Sequence, residues 1–427
     1  MNKVDHDELV LDKLDKIMSE GEQLNNSMKK YGNPDDYLAM AKIVLNFVKK
    51  KGLIIYGGEA IDKYLKHNGQ SGIYDESTKP DYDFYSADYE RDSIELCNIF
   101  YDKGYKYVAR FPRIHRGTFG IRANTVNVAD ITYVPPNIFK KIPKIKIKGV
   151  YYINNEFILK NLYQGLIRPR LSANYSRWEK DFCRLQLFQE VRPLEPEKKK
   201  KAEDKSTVLV FDLVRDKFVN SNPNIVITGQ RAYQFYINQR ETGYFELITV
   251  NRLIEHHVAM IEKILEPKKI TKEVYAPFFN DLPTRVRLKL DEEPIVDLYD
   301  YDHECIASVG QYVNYYFLMH FLYSQIFYYE VYPGSTANIR NQIIQLKAAR
   351  DKFLAENSLT GFESKAGKFQ VFTNECIGIQ KTDPEITFEQ QKAGIDQYPR
   401  YYPEFEYVDL KKFKSKFVPP NYDGALI

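Results

Sequence analysis

Asp81 and Asp83 stand two residues apart in the aromatic run Pro80-Asp81-Tyr82-Asp83-Phe84. On a strand, alternate side chains share a face, so the two carboxylates point the same way. Carboxylates that converge repel one another unless a cation lies between them, and hard divalent cations prefer such oxygen ligands. A magnesium site is the first chemistry this spacing suggests. Taken alone, an Asp-x-Asp pair more often decorates a solvated strand edge, so its neighbours decide.

Upstream, Gly52-Leu53-Ile54-Ile55-Tyr56 reads as a short buried strand that enters Gly57-Gly58 and then a helix, with Ala60, Ile61, Tyr64 and Leu65 at helical spacing and a stop at Asn68-Gly69. A strand, a glycine turn and a helix start together present backbone N–H groups and the positive helix end, where a phosphate can sit. Downstream, the β-rich run Thr125 to Val134 carries one acid, Asp130, which is costly to bury unless paired or metal-bound. If that strand lies beside the one with Asp81 and Asp83, three carboxylates meet. They could then hold two metal ions against a triphosphate, the arrangement for in-line attack of a hydroxyl on phosphorus.

The order of glycine turn and helix, Asp-x-Asp, then a third strand Asp resembles the nucleotidyltransferase superfamily of the polymerase β type. Within it the chain resembles the viral poly(A) polymerase catalytic subunits of poxviruses and giant DNA viruses. The motifs cover roughly residues 50–135. The resemblance implies an α+β fold and a template-independent polymerase that adds AMP from ATP to RNA 3′ ends. It also implies two Mg2+ or Mn2+ ions on Asp81, Asp83 and Asp130, and ATP phosphates beside Gly57 and Gly58. Many relatives carry Gly-Ser in the turn, whereas here a second glycine is followed by the acid Glu59. A terminal uridylyltransferase, an oligoadenylate synthetase-like enzyme and a non-catalytic RNA-binding scaffold are the alternatives. The resemblance further implies a separate processivity subunit, with a homodimer through the tyrosine-rich surface as the alternative, and a cytoplasmic site of action in a viral factory or the virion.

The chain also repeats itself. Ile54-Ile55-Tyr56-Gly57-Gly58-Glu59-Ala60 aligns with Val226-Ile227-Thr228-Gly229-Gln230-Arg231-Ala232, Tyr244 falls opposite Asp81, and Asp297 falls opposite Asp130. Residues from about 207 to 310 are therefore expected to be a degenerate nucleotidyltransferase-like copy without the metal triad. The expected organisation is N-terminal helices over 1–50, a catalytic domain over 51–191 and a charged linker over 192–206. The degenerate domain with aromatic helices would follow over 207–380, and a C-terminal arm over 381–427. Two helices, from about 7 to 29 and 35 to 50, are separated by Gly32-Asn33-Pro34-Asp35.

A net charge of +3 excludes a broadly basic protein, but the cations cluster. Alternation in Lys144-Ile145-Lys146-Ile147-Lys148 puts the three lysines on one face, either as an edge strand protected from aggregation or as an RNA phosphate rim. Arg110, Arg113, His115, Arg116 and Arg122 invite the same two readings. By the resemblance, helices after the catalytic sheet carry nucleotide contacts, which makes Lys160, Arg177, Lys180 and Arg184 candidates; each also fits a solvated helix face. Cys97, Cys183, Cys305 and Cys376 form no CxxC pair, so a disulfide framework and a structural zinc are not indicated and a reducing compartment is. The charged start of the chain argues against secretion. The run Tyr312 to Tyr332 is apolar on nearly every side, which signals burial in a core or interface; Asn314, His320, Gln325 and Glu330 interrupt it and argue against a membrane span.

Overall fold

Two mixed sheets with the same strand order organise the chain in a computed structural model. The structure describes residues 34–74, 82–113, 117–167, 175–191, 208–250, 253–301 and 306–358. It also describes 13, 16, 18–21, 367–369, 376–378, 404–415 and 424–426. The expected helix over 7–29 and the charged linker lie almost entirely outside the described residues.

Helix α1 (Pro34–Lys51) starts on a proline, which suits the first turn, and ends on Lys49, Lys50 and Lys51, which suit the negative end of the helix dipole. Its Met40, Val44, Phe47 and Val48 are buried, and Phe47 meets Phe84 with ring centroids 6.5 Å apart. The first lobe then runs β1 (Ile54–Tyr56), α2 (Gly57–His67), β2 (Tyr82–Ser86), α3 (Tyr89–Asp102), β3 (Ala109–Pro112), β4 (Thr118–Ala123) and β5 (Val126–Tyr133). It continues through α4 (Pro136–Lys141), β6 (Lys144–Ile147), β7 (Val150–Ile153), α5 (Asn155–Leu166) and α6 (Tyr175–Val191). Its sheet has the order β3-β4-β5-β2-β1-β7-β6, with β2 parallel to β5 and β1 parallel to β7.

The second lobe runs α7 (Val208–Val214) into a π-helical turn (Arg215–Val219), then β8 (Ile225–Thr228), α8 (Gly229–Tyr236), β9 (Phe245–Val250) and α9 (Ile254–Leu265). Strands β10 (Ile270–Tyr275), β11 (Arg285–Leu290), β12 (Glu293–Tyr301), β13 (Ile306–Val309) and β14 (Tyr312–Val313) follow. After them come α10 (Tyr315–Val331), α11 (Ala337–Glu356) and β15 (Cys376–Ile377). Its sheet has the order β10-β11-β12-β9-β8-β14-β13-β15, the first order repeated with one strand added.

The repetition reaches single residues. Tyr56 pairs with Asp83 and Thr228 with Glu246; Asp83 pairs with Asp130 and Glu246 with Asp297. The turns β4–β5 and β11–β12 each place two residues at positive φ, Asn124 and Thr125 in one and Asp291 and Glu292 in the other, the geometry of a tight hairpin that matches strand twist. Asn154 caps α5 by accepting from the Phe157 N–H, and Asn314 caps α10 by accepting from the Phe317 N–H. The degenerate copy expected from the alignment is thus a second sheet of the same topology, and its register matches that alignment.

The equivalent helices α5 and α10 pack on each other between the lobes, Phe157 against Phe327 at 4.8 Å and Tyr163 against Tyr323 at 5.8 Å. This burial explains why α10 is apolar all round: its residues from Tyr315 to Ser324 are all buried. Among the described residues no helix is long and apolar enough to cross a membrane. Residues 404–415 lie along the first lobe, where Asn98 exchanges two hydrogen bonds with the backbone of Val408 and the Phe405 N–H donates to the Val108 carbonyl. The chain then reaches the second lobe, where the Ala276 N–H donates to Ala425 and the Gly424 N–H donates to Pro277.

Candidate active site

Strand β1 ends at Gly57, whose φ of +72° lies in the left-handed region open to glycine, and the chain turns there into α2. A Cβ at Gly57 would come closer than 3.0 Å to Asp83 Oδ2, so only glycine lets the carboxylate of the neighbouring strand rest against this turn. Asp83 lies directly beside Asp130 in the parallel β2–β5 pair, which sets their backbones about 4.8 Å apart. Both side chains are half-buried. Asp81 lies outside the described residues, and so does Arg116.

Opposite Asp130 on β4 stands Gly120, where a Cβ would press into the Phe111 ring and lie 2.9 Å from Arg113 Nε. The room left by that missing side chain is taken by Arg113. Its Nε lies 2.8 and 3.0 Å from the two Asp130 oxygens and its Nη2 2.8 Å from Oδ1. Arg113 is therefore a counterion of the carboxylates rather than part of a free RNA-binding rim. Arg110 is likewise committed, donating to the Glu90 carbonyl and Ser93 and stacking on Phe119.

Behind the carboxylates, Tyr56 stacks on Tyr85 at 4.1 Å and shares a 2.8 Å hydrogen bond with Thr132, which in turn bonds Thr118. Burial first, and then the charge of Asp83, hold the Tyr56 phenol well above its ordinary pKa. The wall behind the acids is thus neutral and adds no competing charge. Glu59 does not face the turn. It is buried, bonded to Lys63 one helical turn on at 3.1 Å, and burial raises its carboxyl. The acid that follows the glycine turn is thus directed into the core and paired with Lys63.

Above Gly58, the Tyr74 hydroxyl lies where a side chain would project, and Arg184 from α6 donates to that hydroxyl at 3.3 Å. Arg184 is half-buried at the turn, while Lys180, one helical turn earlier, is exposed. Lys160 is corrected. Its ammonium is buried between the lobes, 2.5 Å from Asp281 and among the rings of Phe157, Phe279 and Phe327, committed to this pair rather than exposed to a nucleotide. Lys144, Lys146 and Lys148 follow the site closely in sequence but not in space. Strand β6 is the edge beyond β7 and β1, three strands from β2, and the Lys144 and Lys146 ammonium groups lie over the Tyr151 ring.

In the second lobe the same positions are filled. A Cβ at Gly229 would collide with Glu246, whose carboxylate accepts from the Gln230 N–H at the start of α8 and from Gln325 of α10. Asp297 is fully buried and clamped by Arg287 at 2.8 and 2.7 Å. The Gln230 amide that would face a phosphate at this turn is thus taken by Glu246. In the first lobe, Asp83 and Asp130 offer hard oxygen donors on one face beside a glycine cradle, the donor set that suits a divalent cation.

The family model "Poly(A) polymerase catalytic subunit" matches residues 42–172, the span from α1 to the end of the first lobe's sheet and α5. A crystal structure of the Megavirus polyadenylate synthase superposes with a TM-score of 0.78 at 25% identity, covering 100% of this chain and 93% of that one. The chain is thus similar, over residues 42–172, to poly(A) polymerase catalytic subunits. A relative from Acanthamoeba polyphaga mimivirus, named as a poly(A) polymerase catalytic subunit, is 29% identical over 307 residues. Those residues are 64% of this chain and 52% of that protein, so the chain spans about half the length of this relative. One of the same description from African swine fever virus is 36% identical over 172 residues, 39% of this chain and 36% of that protein. The pairing of Asp83 with Asp130 was legible in the sequence, but not the placement of Tyr74 or Gly120, nor the contact of Arg113 with Asp130. A glycine opposite an acid on adjacent strands was the signal available for the last two.

Proposed function

We propose that this chain is a template-independent poly(A) polymerase that transfers AMP from ATP to an RNA 3′ end, with the first lobe catalytic and the second inert. The observation that carries this reading is the direct pairing of Asp83 with Asp130 against the Gly57 turn, beside positively charged Arg184. Asp81, Asp83 and Asp130 would hold two divalent cations, Mg2+ or Mn2+. Such ions supply neutralisation of the triphosphate and a more acidic attacking hydroxyl. Asp83 and Asp130 would fix those ions beside the Gly57 turn, and the amides at the start of α2 with Arg184 would receive the leaving pyrophosphate end. Arg113 maintains charge balance at Asp130 before substrate enters. Lys180 and the lysine edge Lys144, Lys146 and Lys148 remain candidates for the path of the RNA backbone.

The test is extension of a 5′-labelled RNA oligomer with each nucleoside triphosphate supplied singly, with Mg2+ or Mn2+, beside Asp83→Ala and Asp130→Ala. A long ladder with ATP alone, lost in both variants, is the expected result. A ladder with UTP instead moves the assignment to a uridylyltransferase. Activity surviving Asp83→Ala refutes the site.

A further inference from the structure

We propose that Tyr74 positions the triphosphate, its phenol supplying from a neighbouring loop the hydroxyl that the glycine turn lacks. The inference rests on the nucleotidyl-transfer reading above. Gly57 and Gly58 have no side-chain donor, and Tyr56, which precedes α2, makes no side-chain cap to its first turn. A Cβ built on Gly58 would come closer than 3.0 Å to the Tyr74 hydroxyl, 3.0 Å from its Cζ and 3.5 Å from Arg184 Nη2. The phenol oxygen therefore occupies the space in which a serine at position 58 would hold its own hydroxyl, with a guanidinium alongside.

This is a fitted arrangement and not a stray surface ring. The Tyr74 N–H donates to Asp62 Oδ1 at 3.0 Å, and Lys66 Nζ donates to the Tyr74 carbonyl at 2.9 Å. Asp62 is fully buried on α2 and also meets Lys66 at 2.9 Å and Lys63 at 3.2 Å. At Gly72 a Cβ would run into Asp62 and Lys66, so the loop lies tight on the helix. Both backbone polar groups of Tyr74 are thereby tied to the helix whose first turn its phenol overhangs. A phosphate arriving there meets amides, a guanidinium and a neutral O–H donor whose hydrogen bond is strengthened by the adjacent cation. Asp62 and Lys66 are positioning residues for this donor.

The experiment measures binding of ATP and of AMP by titration calorimetry with Mg2+ and without RNA, together with KM and kcat for RNA extension and the melting temperature. Tyr74→Phe, which deletes only the oxygen, is expected to weaken ATP binding and raise KM for ATP by at least about tenfold, the worth of one hydrogen bond to a charged group, while AMP binding holds. Gly58→Ser alone drives a side chain into the phenol and weakens ATP binding too. The double variant Gly58→Ser/Tyr74→Ala returns a hydroxyl to the vacated space and is expected to bind ATP more tightly than either Tyr74→Ala or Gly58→Ser alone. Wild-type affinity in Tyr74→Phe, an equal loss for AMP and ATP, or a double variant no better than the singles refutes the proposal alone, since the wild type still extends RNA. A wild type that neither binds ATP nor extends RNA refutes the nucleotidyl-transfer reading, and the proposal with it.

Discussion

Replacing Lys160 by Met should unseat the contact between the lobes. The Lys160 ammonium and Asp281 carboxylate lie 2.5 Å apart with side chains 1% and 0% exposed, so neither can turn to water when its partner is removed. Burial lowers the lysine pKa while Asp281 opposes that shift, the balance expected of an ion pair held deep in the protein. Losing one partner leaves an uncompensated buried charge, which costs about 3–5 kcal/mol. At roughly 2–4 °C per kcal/mol for a lobe of this size, the melting temperature should fall by about 6–20 °C. Asp281→Leu should cost as much. The double variant Lys160→Met/Asp281→Leu should recover most of the loss, because apolar side chains replace a buried pair at little or no cost and three aromatic rings already line the site. Urea unfolding followed by circular dichroism on all four proteins closes the cycle. A Lys160→Met loss under about 0.5 kcal/mol, or a double variant as unstable as the sum of its singles, would refute the account.

Arg113→Ala should tighten Mn2+ binding by roughly 5–30-fold, since displacing a part-exposed bidentate guanidinium costs a metal about 1–2 kcal/mol; unchanged or weaker binding, read by paramagnetic resonance of free Mn2+, counts against it. In the second lobe, Asp297→Ala strands Arg287 and should destabilise by about 3–5 kcal/mol, yet leave extension per folded molecule intact; a loss of activity matching Asp83→Ala would show that this lobe is not inert. His257 is buried against Phe218 and shares a 2.6 Å hydrogen bond with Thr249. Burial, and then the neighbouring His256, push its pKa down to about 4 from 6.5, so the unfolded chain takes up this proton first. Stability present above pH 6.5 should therefore drain as pH falls toward 4, by at most about 1.4 kcal/mol per unit from this group. His257→Gln should flatten that part of the profile; an unchanged slope in urea unfolding would exonerate the histidine.

What the sequence disclosed was whatever depends on short-range pattern. Strand alternation and the β-rich run after it pointed to the pairing of Asp83 with Asp130, and the recurrence of a strand, a glycine turn and an alanine-bearing helix exposed the second lobe. The all-round apolarity of the segment from Tyr315 to Val331 marked it as buried, but not that it packs on α5 and reaches Glu246 through Gln325. Lys160 was illegible because a lysine on a helix usually reaches water, and its partner Asp281 is 121 residues away. Closeness in sequence misled for Lys144, Lys146 and Lys148, since β7 returns to pair with β1 and carries β6 to the far edge. Arg113 looked like a surface cation because nothing in a linear run of arginines shows that Gly120, across the hairpin, opens a path to Asp130.

The segment 404–415 has a consequence for the order of assembly during synthesis. Asn98 finds its partner Val408 only across 310 residues, and the Phe405 N–H meets the Val108 carbonyl just before β3, the edge strand of the first sheet. Loops of that span close slowly, and a sheet margin left open in the meantime is a template for other chains. The first lobe emerges from the ribosome without residues 404–415 and meets them only after the second lobe has been made. Expression in a host that translates the second lobe slowly should therefore prolong the aggregation-prone interval, and supplying residues 404–415 as a separate peptide should shorten it.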